Sequence, residues 1–513
     1  MWKTTKQDIH SYGASPSTPL LGPAPPPHPP PSPPPGPEEP IRSIPRHRLR
    51  LRKLLLVLLF ISLLTPLYTI FKLTYPHWSW PWPWPSFDPR PPSIPWKYYS
   101  RQYTYGLTPN STSDDYTLSL HEFIIPDYFP LGVKGSVKLL TGKPNQSHNL
   151  LIYIQVFSNF ASPVDCIIPS RIIVPNTTEN ITITSIPNKF PVNRKPTDFH
   201  DFQTFVNVYV YTRPQPAVRL GHVSVSTNLL DITIPRSGVK LETSRLSLTS
   251  GYRSITNNFP GGGGGHVLDP LYASHISLYS RYNCIGGNWA YGLSFSAAAP
   301  EYSVNIFLYP RQISWGAYTP ADIDIVAKHD ISVLTPTFKP LLSLRNSSIS
   351  ILSHRGNVNG NLVTSTFTNV TALEGNIHMG MTPYWELIAD GSSPPNTPRV
   401  ETYSKYNTSV YIDRPVNIGG QGGDPFAIMQ AKHVAQEGNI MVRYPDGFWE
   451  GRVDVESIYK KAEILGVDGE EMGGVVREAE GKVHLKGENE VSFVSVVGGG
   501  DAVFRLLEGD LVR

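Results

Sequence analysis

The sequence predicts a mainly β protein, with a β-solenoid-like or stacked-sheet ectodomain after one transmembrane helix and a disordered proline-rich N-terminal tail. Three observations carry that prediction. Short runs alternate apolar and polar residues at period two, as strands with one buried face do. A glycine followed by apolar or small residues at the second and fourth positions keeps returning. A long uncharged apolar run, Leu54 to Phe71, precedes all of them.

The tail comprises residues 1–53. Its stretch APPPHPPPSPPPGPEEP, Ala24 to Pro40, favours polyproline II because each proline ring fixes φ and removes a donor, so no core can form there. Its P-x-x-P spacing is of the kind that SH3 or WW domains dock, although any proline tract satisfies that pattern.

Residues 54–71, LLLVLLFISLLTPLYTIF, nearly span a hydrocarbon core at about 1.5 Å of rise per residue. A cleaved signal would lie closer to the N-terminus and end at small residues, whereas this run is followed by Pro, His and Trp. Arg42, Arg46, Arg48, Arg50, Arg52 and Lys53 precede the run, against Lys72 and Arg90 after it. The positive-inside rule then leaves the N-terminus cytoplasmic and the C-terminal part translocated, in a single-pass type II arrangement at the plasma membrane or in the secretory pathway. Residues 72–97 follow as a stalk. Trp78, Trp80, Trp82 and Trp84 alternate there with serine or proline and suit the headgroup region, with a carbohydrate-stacking platform as the alternative.

Asn-x-Ser/Thr sequons at Asn110, Asn145, Asn176, Asn180, Asn346, Asn369 and Asn407 all lie beyond the run, where a glycoprotein ectodomain would carry them. The net charge of +3 is too mild to point to nucleic acid. Cys166 and Cys284 have no zinc-ligand spacing; a disulfide between them and two separate thiols both remain open.

The ectodomain, residues 98–513, is read as β throughout. Val223, Val225, Ile232 and Ile234 mark buried faces, as do Val239, Leu241, Leu246 and Leu248. The recurring glycine element reads GSVKL at Gly135, GHVSV at Gly221, GNIHM at Gly375, GNIMV at Gly438, GRVDV at Gly451 and GKVHL at Gly481. GNVNG at Gly356 and GDAVF at Gly500 are looser copies. Each is expected to be a corner in which glycine takes positive φ and the apolar pair begins a strand. Gly356 to Gly375 and Gly481 to Gly500 are both 19 residues, a length that suits one small turn of a solenoid, while other intervals are irregular. Between Asn257 and Pro310 the rhythm is lost, and the glycines near 257–268 are expected to form a surface loop. No Gly-Lys-Ser/Thr follows them, so they are not a phosphate cradle. From Glu456 onward glycines interrupt any helix, and the tail reads as the last strands, whose charges protect the end of the stack.

SHRGNVNGNLVTSTFTNVTALEGNIHMGMTP, Ser353 to Pro383, with EGNIMVRYPDGFWEGRVDVES, Glu437 to Ser457, resembles the C-terminal part of fungal single-pass membrane proteins with an adhesin-like β-solenoid ectodomain. In that family a basic cytoplasmic tail and a transmembrane helix precede the β region, as they do here. The resemblance covers about residues 200–513, and YPDGFWEG is its most specific part. It implies a surface role without naming a ligand or a catalytic residue.

The functional expectation is therefore adhesion, binding or scaffolding, with cell-wall polysaccharide or a protein as ligand, and not an enzyme. The alternative is a polysaccharide lyase or hydrolase on the same scaffold, which would need converging carboxylates. Asp322 and Asp324 in ADIDIV share a strand face, and Asp198, His200 and Asp201 lie together in DFHDF, the latter also a weak metal candidate. His354 and His378, each near a Gly-Asn pair, would sense pH if they faced each other, and are otherwise outward polar residues. No catalytic residue, cofactor or metal ligand is assigned.

Overall fold

The chain divides into two units, Met1–Ser93 and Ile94–Arg513. The computed structural model describes residues 99–507 apart from 108–115, 125–132, 159–160, 175–177, 186–203, 215–217, 237, 259–270, 311–321, 336–346, 365, 386–397, 415, 418–428, 447–450, 480 and 487–488. The expected tail, anchor and stalk, residues 1–97, lie outside the described residues.

The described residues are nearly all strand, as the period-two runs predict. The first are β1 (Tyr99–Leu107), β2 (Thr117–Phe123), β3 (Val133–Thr141), β4 (Leu150–Ser158), the short helix α1 (Ala161–Cys166), β5 (Ile167–Val174), β6 (Thr178–Ser185) and β7 (Thr204–Thr212). The central ones are β8 (Val218–Thr227), β9 (Asp231–Ile234), β10 (Leu241–Ser250), β11 (Ile255–Asn257), β12 (Leu271–Ser280), β13 (Ile285–Ala299), β14 (Val304–Pro310), β15 (Asp322–Ala327) and β16 (Ile331–Leu334). Then come β17 (Ser348–Ser353), β18 (Val358–Thr364), β19 (Phe367–Ala372), β20 (Ile377–Trp385), β21 (Arg399–Ser404), β22 (Thr408–Ile412) and β23 (Val416–Asn417). The last are β24 (Gln430–Ala435), β25 (Ile440–Pro445), β26 (Gly451–Ser457), β27 (Ala462–Leu465), β28 (Val475–Ala479), β29 (Lys482–Leu485), β30 (Asn489–Gly498) and β31 (Ala502–Leu507).

Through the middle of the chain each strand pairs in parallel with the strand two places on: β15 with β17, β16 with β18, β17 with β19, β18 with β20. That is the signature of a two-faced β-solenoid. Each rung supplies one strand to each face, and a corner of a few residues joins them. We call the face of β8, β10, β12, β15 and β17 the first face, and that of β9, β11, β14, β16 and β18 the second. β13 serves both. Its start pairs with β11 and β14, its end with β12 and β15, and Gly292 sits at the crossing where Tyr272 and Ser274 press close.

Alternation places the core between the faces. Val223, Val225, Ile232, Ile234, Leu246 and Leu248 are all buried, as predicted, and register stacks Ile232, Ile255 and Ile285 in one row. Each such side chain contributes about 1.5–3 kcal/mol by leaving water. Trp289, Tyr291 and Phe295 are among the largest wholly buried side chains. The rhythm expected to lapse between Asn257 and Pro310 therefore continues through β12, β13 and β14. Only 259–270, with the glycine run, lies outside the described residues.

The two ends are threaded alike. β2 and β3 lie between β6 and β7 on one side and β8 and β9 on the other, so the chain lays down an inner rung first, then one outside it. At the far end β30 and β31 lie between β24 and β25 on one side and β26 and β27 on the other, so the last rung in sequence is not the last in space. Antiparallel strands close both ends: β5 on β6, and β4 then β1 on β7, at one; β29 then β28 on β26 at the other. The charged β28 covers the open edge there, which is how solenoids avoid pairing with further copies.

Candidate binding face

At the tight corner from Asp330 to Asp501 an Asp or Asn precedes the residue that begins the strand in rung after rung, and these side chains join one rung to the next. The Asn357 N–H donates to Asp330 Oδ1 at 2.8 Å, Asn376 N–H to Asn357 Oδ1 at 3.0 Å and Asn407 N–H to Asn376 Oδ1 at 3.0 Å. Asn439 N–H continues to Asn407 Oδ1 at 3.0 Å, and Asp501 N–H to Asn439 Oδ1 at 2.9 Å. An Asp at either end of this ladder accepts or donates to one side only, and the Asn between them do both.

The glycines beside the ladder have a different role from the one expected. Gly356, Gly375, Gly438 and Gly500 do not take positive φ. A Cβ on Gly375 would lie 1.9 Å from the Gly356 carbonyl oxygen, and one on Gly438 would lie 2.4 Å from the Tyr406 carbonyl carbon, so the preceding rung's backbone occupies the space. Other copies of the element are not corners at all: Gly135 and Gly221 lie inside β3 and β8, and Gly451 opens β26. Gly481 does have φ +76°, but it turns the chain into the closing strand β29, so its 19-residue interval to Gly500 is not a rung.

A second signal runs through the corners that no repeated letter announces. The last residue of each first-face strand is small, and the apolar residue of the next strand follows four or five places on: Ser250 then Ile255, Ser280 then Ile285, Ala299 then Val304, Ser353 then Val358. Ser353 Oγ donates to Gly356 O at 2.9 Å and accepts from Gly356 N–H at 3.0 Å, so the hydroxyl satisfies a corner that has no room for more.

The outward side of the first face carries a regular row of polar residues. In-register parallel pairing lines up Ser119, Ser224, Ser247, Ser277, Ser296 and Asp324 on successive strands, about 4.8 Å apart, and the row goes on to Ser350 and Asn369. On one side of it lie Arg245, His275, Ser294 and Asp322; on the other, Tyr279, Ala298, Val326 and Leu352. Asp322 and Asp324 are both exposed on this face, as the alternation predicts. His275 Nδ1 and Ser294 Oγ are 2.9 Å apart, within the reach of a base and a nucleophile. The register partner of His275 on its other side is Arg245, however, and Asp322 neighbours Ser294 instead of His275. A base would need its carboxylate where Arg245 stands.

The remaining sequence-predicted residues are dispersed. Asn145 and Asn407 are exposed, and Asn180 and Asn369 are half-buried on strands of the first face. Asn110, Asn176 and Asn346, and Asp198, His200 and Asp201, lie outside the described residues. His354 is exposed at a corner and His378 points outward from β20 between Asn359 and Ser409, so the two do not face each other. No disulfide joins Cys166 and Cys284. Cys166 is buried at the end of α1, in the closing layers, whereas Cys284 is exposed at the corner before β13, with several rungs between, and a disulfide tolerates only about 7 Å between Cα atoms.

Buried polar groups serve the fold. Glu122 accepts N–H bonds from Ile124, Asn228 and Leu229 at 2.6–2.8 Å, pinning a corner from inside; burial pushes its carboxyl up despite those donors. Glu179 takes the Arg171 guanidinium at 2.5 Å and the Tyr116 hydroxyl at 2.9 Å. His433 is wholly buried, its Nδ1 2.9 Å from Thr402 Oγ1, and burial lowers its pKa to about 3. Among the described residues no group of three or more His, Cys, Asp or Glu could hold a metal ion, and no helix is long and apolar enough to cross a membrane.

Fold and face together define a capped two-faced β-solenoid with a regular polar exterior. No family model matches the chain, and no curated protein does. Among solved structures, a candidate cell adhesion protein from Clostridium sporogenes aligns over 80% of this chain and 100% of its own, at 7% identity and a TM-score of 0.16. At that score the likeness adds nothing to what the strand pairings show.

Proposed function

We propose that the chain is a membrane-anchored, glycosylated surface protein whose solenoid binds or scaffolds through its exterior and does not catalyse. In this reading the run at 54–71 is the anchor, the basic residues before it favour a cytoplasmic N-terminus, and the sequons beyond it support a lumenal or extracellular solenoid. The resemblance to fungal membrane proteins with adhesin-like solenoids agrees with that arrangement. The single observation that carries the binding role is the in-register outward row from Ser119 to Asn369, which offers a small polar group, mostly serine, on strand after strand. Many weak, equally spaced contacts suit attachment to a polymer or to a neighbouring surface, because avidity replaces a deep pocket.

Two measurements test this reading. Endoglycosidase treatment should increase gel mobility, and unchanged mobility with protease access to the C-terminus in intact microsomes contradicts the topology. The full chain in detergent, screened on a glycan array and against polysaccharides for turnover, should bind without degrading. Turnover that is lost on changing Asp322 and Asp324 to Asn, with folding intact, would favour the enzyme instead.

A further inference from the structure

We infer that the outward patch on β12, β13, β15 and β17 is a lengthwise binding track for an extended, uncharged polysaccharide. The inference deepens the non-catalytic binding role and rests on it. Three features of the patch select the ligand. First, register places Ser277, Ser296, Asp324 and Ser350 in a line across the strands, so hydrogen-bonding groups repeat about every 4.8 Å along the solenoid axis. That is close to the advance of one sugar residue in an extended β-linked chain, and a polymer lying along the axis meets a fresh group at each residue.

Second, the patch is amphipathic across its width. Beside the hydroxyl line runs an apolar strip of Tyr279, Ala298, Val326 and Leu352, with the Tyr279 ring 40% exposed. A sugar ring has an apolar C–H face and an equatorial rim of hydroxyls. The strip takes the first, and Ser277, Ser296 and the Asp324 carboxylate take the second. Third, the patch carries two exposed carboxylates, Asp322 and Asp324, while Arg245 stands outside it on β10. A polyanion would be repelled there, and the repeated hydroxyls need no charge on the ligand, so an uncharged polymer is the complementary partner. The same row meets sequon asparagines at both ends, Asn180 beside Ser119 and Asn369 beside Ser350.

The test uses the full chain in detergent micelles, sedimented with insoluble β-1,4-glucan, with chitin, and with calcium-gelled alginate as a polyanion. Retention on at least one neutral polymer is expected, with little on alginate. Tyr279→Ala should lower the retained fraction about tenfold and Ser296→Arg should abolish retention. Ser332→Arg, on the outward side of the second face, should leave it unchanged. Melting curves check that each variant folds, and Tyr279→Ala, which only trims an exposed ring, keeps the test open if Ser296→Arg does not. Neutral-polymer retention that neither first-face variant alters overturns the track while the non-catalytic role stands. Retention on alginate alone, or on no polymer, also overturns it. Release of soluble sugar from the glucan or chitin instead overturns the reading on which the track rests.

Discussion

The same tight corner is built two ways in the two halves of the solenoid. From Asp330 to Asp501 it is an amide ladder, flanked by glycines that admit the preceding rung's backbone. From Asp231 to Ser303 it carries Ser, Cys and aromatic residues. Ser254 donates its N–H to Asp231 Oδ1 at 3.0 Å, Cys284 N–H is held by the Asn283 side chain, and the Tyr252 and Tyr282 rings stack at 5.0 Å with Arg281 over Tyr282. Both halves must satisfy corner N–H groups at a strand-to-strand spacing. The difference shows that the backbone sets the requirement and that more than one side-chain chemistry meets it.

The largest expected effect separates the halves by what surrounds their glycines. Gly375→Val should cost about 3 kcal/mol or more in urea unfolding, because the clash is with backbone that cannot rotate away. Gly251→Ala should cost about 1 kcal/mol, because the nearest atom to its Cβ is the Asn228 side-chain oxygen at 2.6 Å, which can swing aside. Equal costs would erase the distinction.

The halves differ inside as well. One interior row reads Val225, Leu248, Leu278 in the first half and carries Thr402 and His433 in the second before it returns to Val496 and Val455. His433 stays neutral when folded, with a pKa near 3, whereas the unfolded chain takes up a proton near 6.5. The unfolded state therefore binds more protons between those values, and stability is full above about pH 6.5 and falls as pH drops toward 3, by up to about 1.4 kcal/mol per unit. At pH 4.5 His433→Leu should have lost about 2.5–3 kcal/mol less than the parent chain, relative to each at pH 7.5. An identical pH profile would remove His433 as the cause.

Smaller effects probe the corner chemistry itself. Asn376→Ala breaks the ladder at two rungs and should cost about 1–2 kcal/mol, whereas Asn376→Asp keeps the acceptor for Asn407 N–H and should cost less. Tyr282→Ala removes the ring stack and should cost about 1 kcal/mol. Chemical denaturation of the three variants checks the order, and a larger loss at Tyr282 than at Asn376 would reverse the comparison.

The fold class was legible because period-two alternation reports one buried face wherever it occurs, as Val223 to Ile234 shows. The Gly-Asn corner was visible as a repeat, but its cause was not: a sequence cannot tell positive φ from a neighbouring rung's carbonyl 1.9 Å away. The aromatic corners repeat no letters, so Asn257 to Pro310 read as an interruption although its strands stack like the rest. The threading of the ends depends on pairing between strands far apart in sequence, such as β24 with β30, and leaves no local trace. The serine row is likewise a product of register. Ser247 and Ser277 are ordinary outward residues until the pairing places them side by side.

The central claim is that close approach between rungs, and not turn conformation, fixes the Gly-Asn corner, and one pair of substitutions measures it most directly. Gly375 lacks positive φ and has a carbonyl where its Cβ would be; Gly469 has φ +83° and no atom nearer than the Arg505 guanidinium at 3.5 Å. Asparagine tolerates the left-handed region but cannot share space with a backbone oxygen. Thermal unfolding of Gly375→Asn and Gly469→Asn should therefore show a large drop in Tm for the first and a change within about a degree or two for the second. A Gly375→Asn chain that melts with the parent would contradict the account.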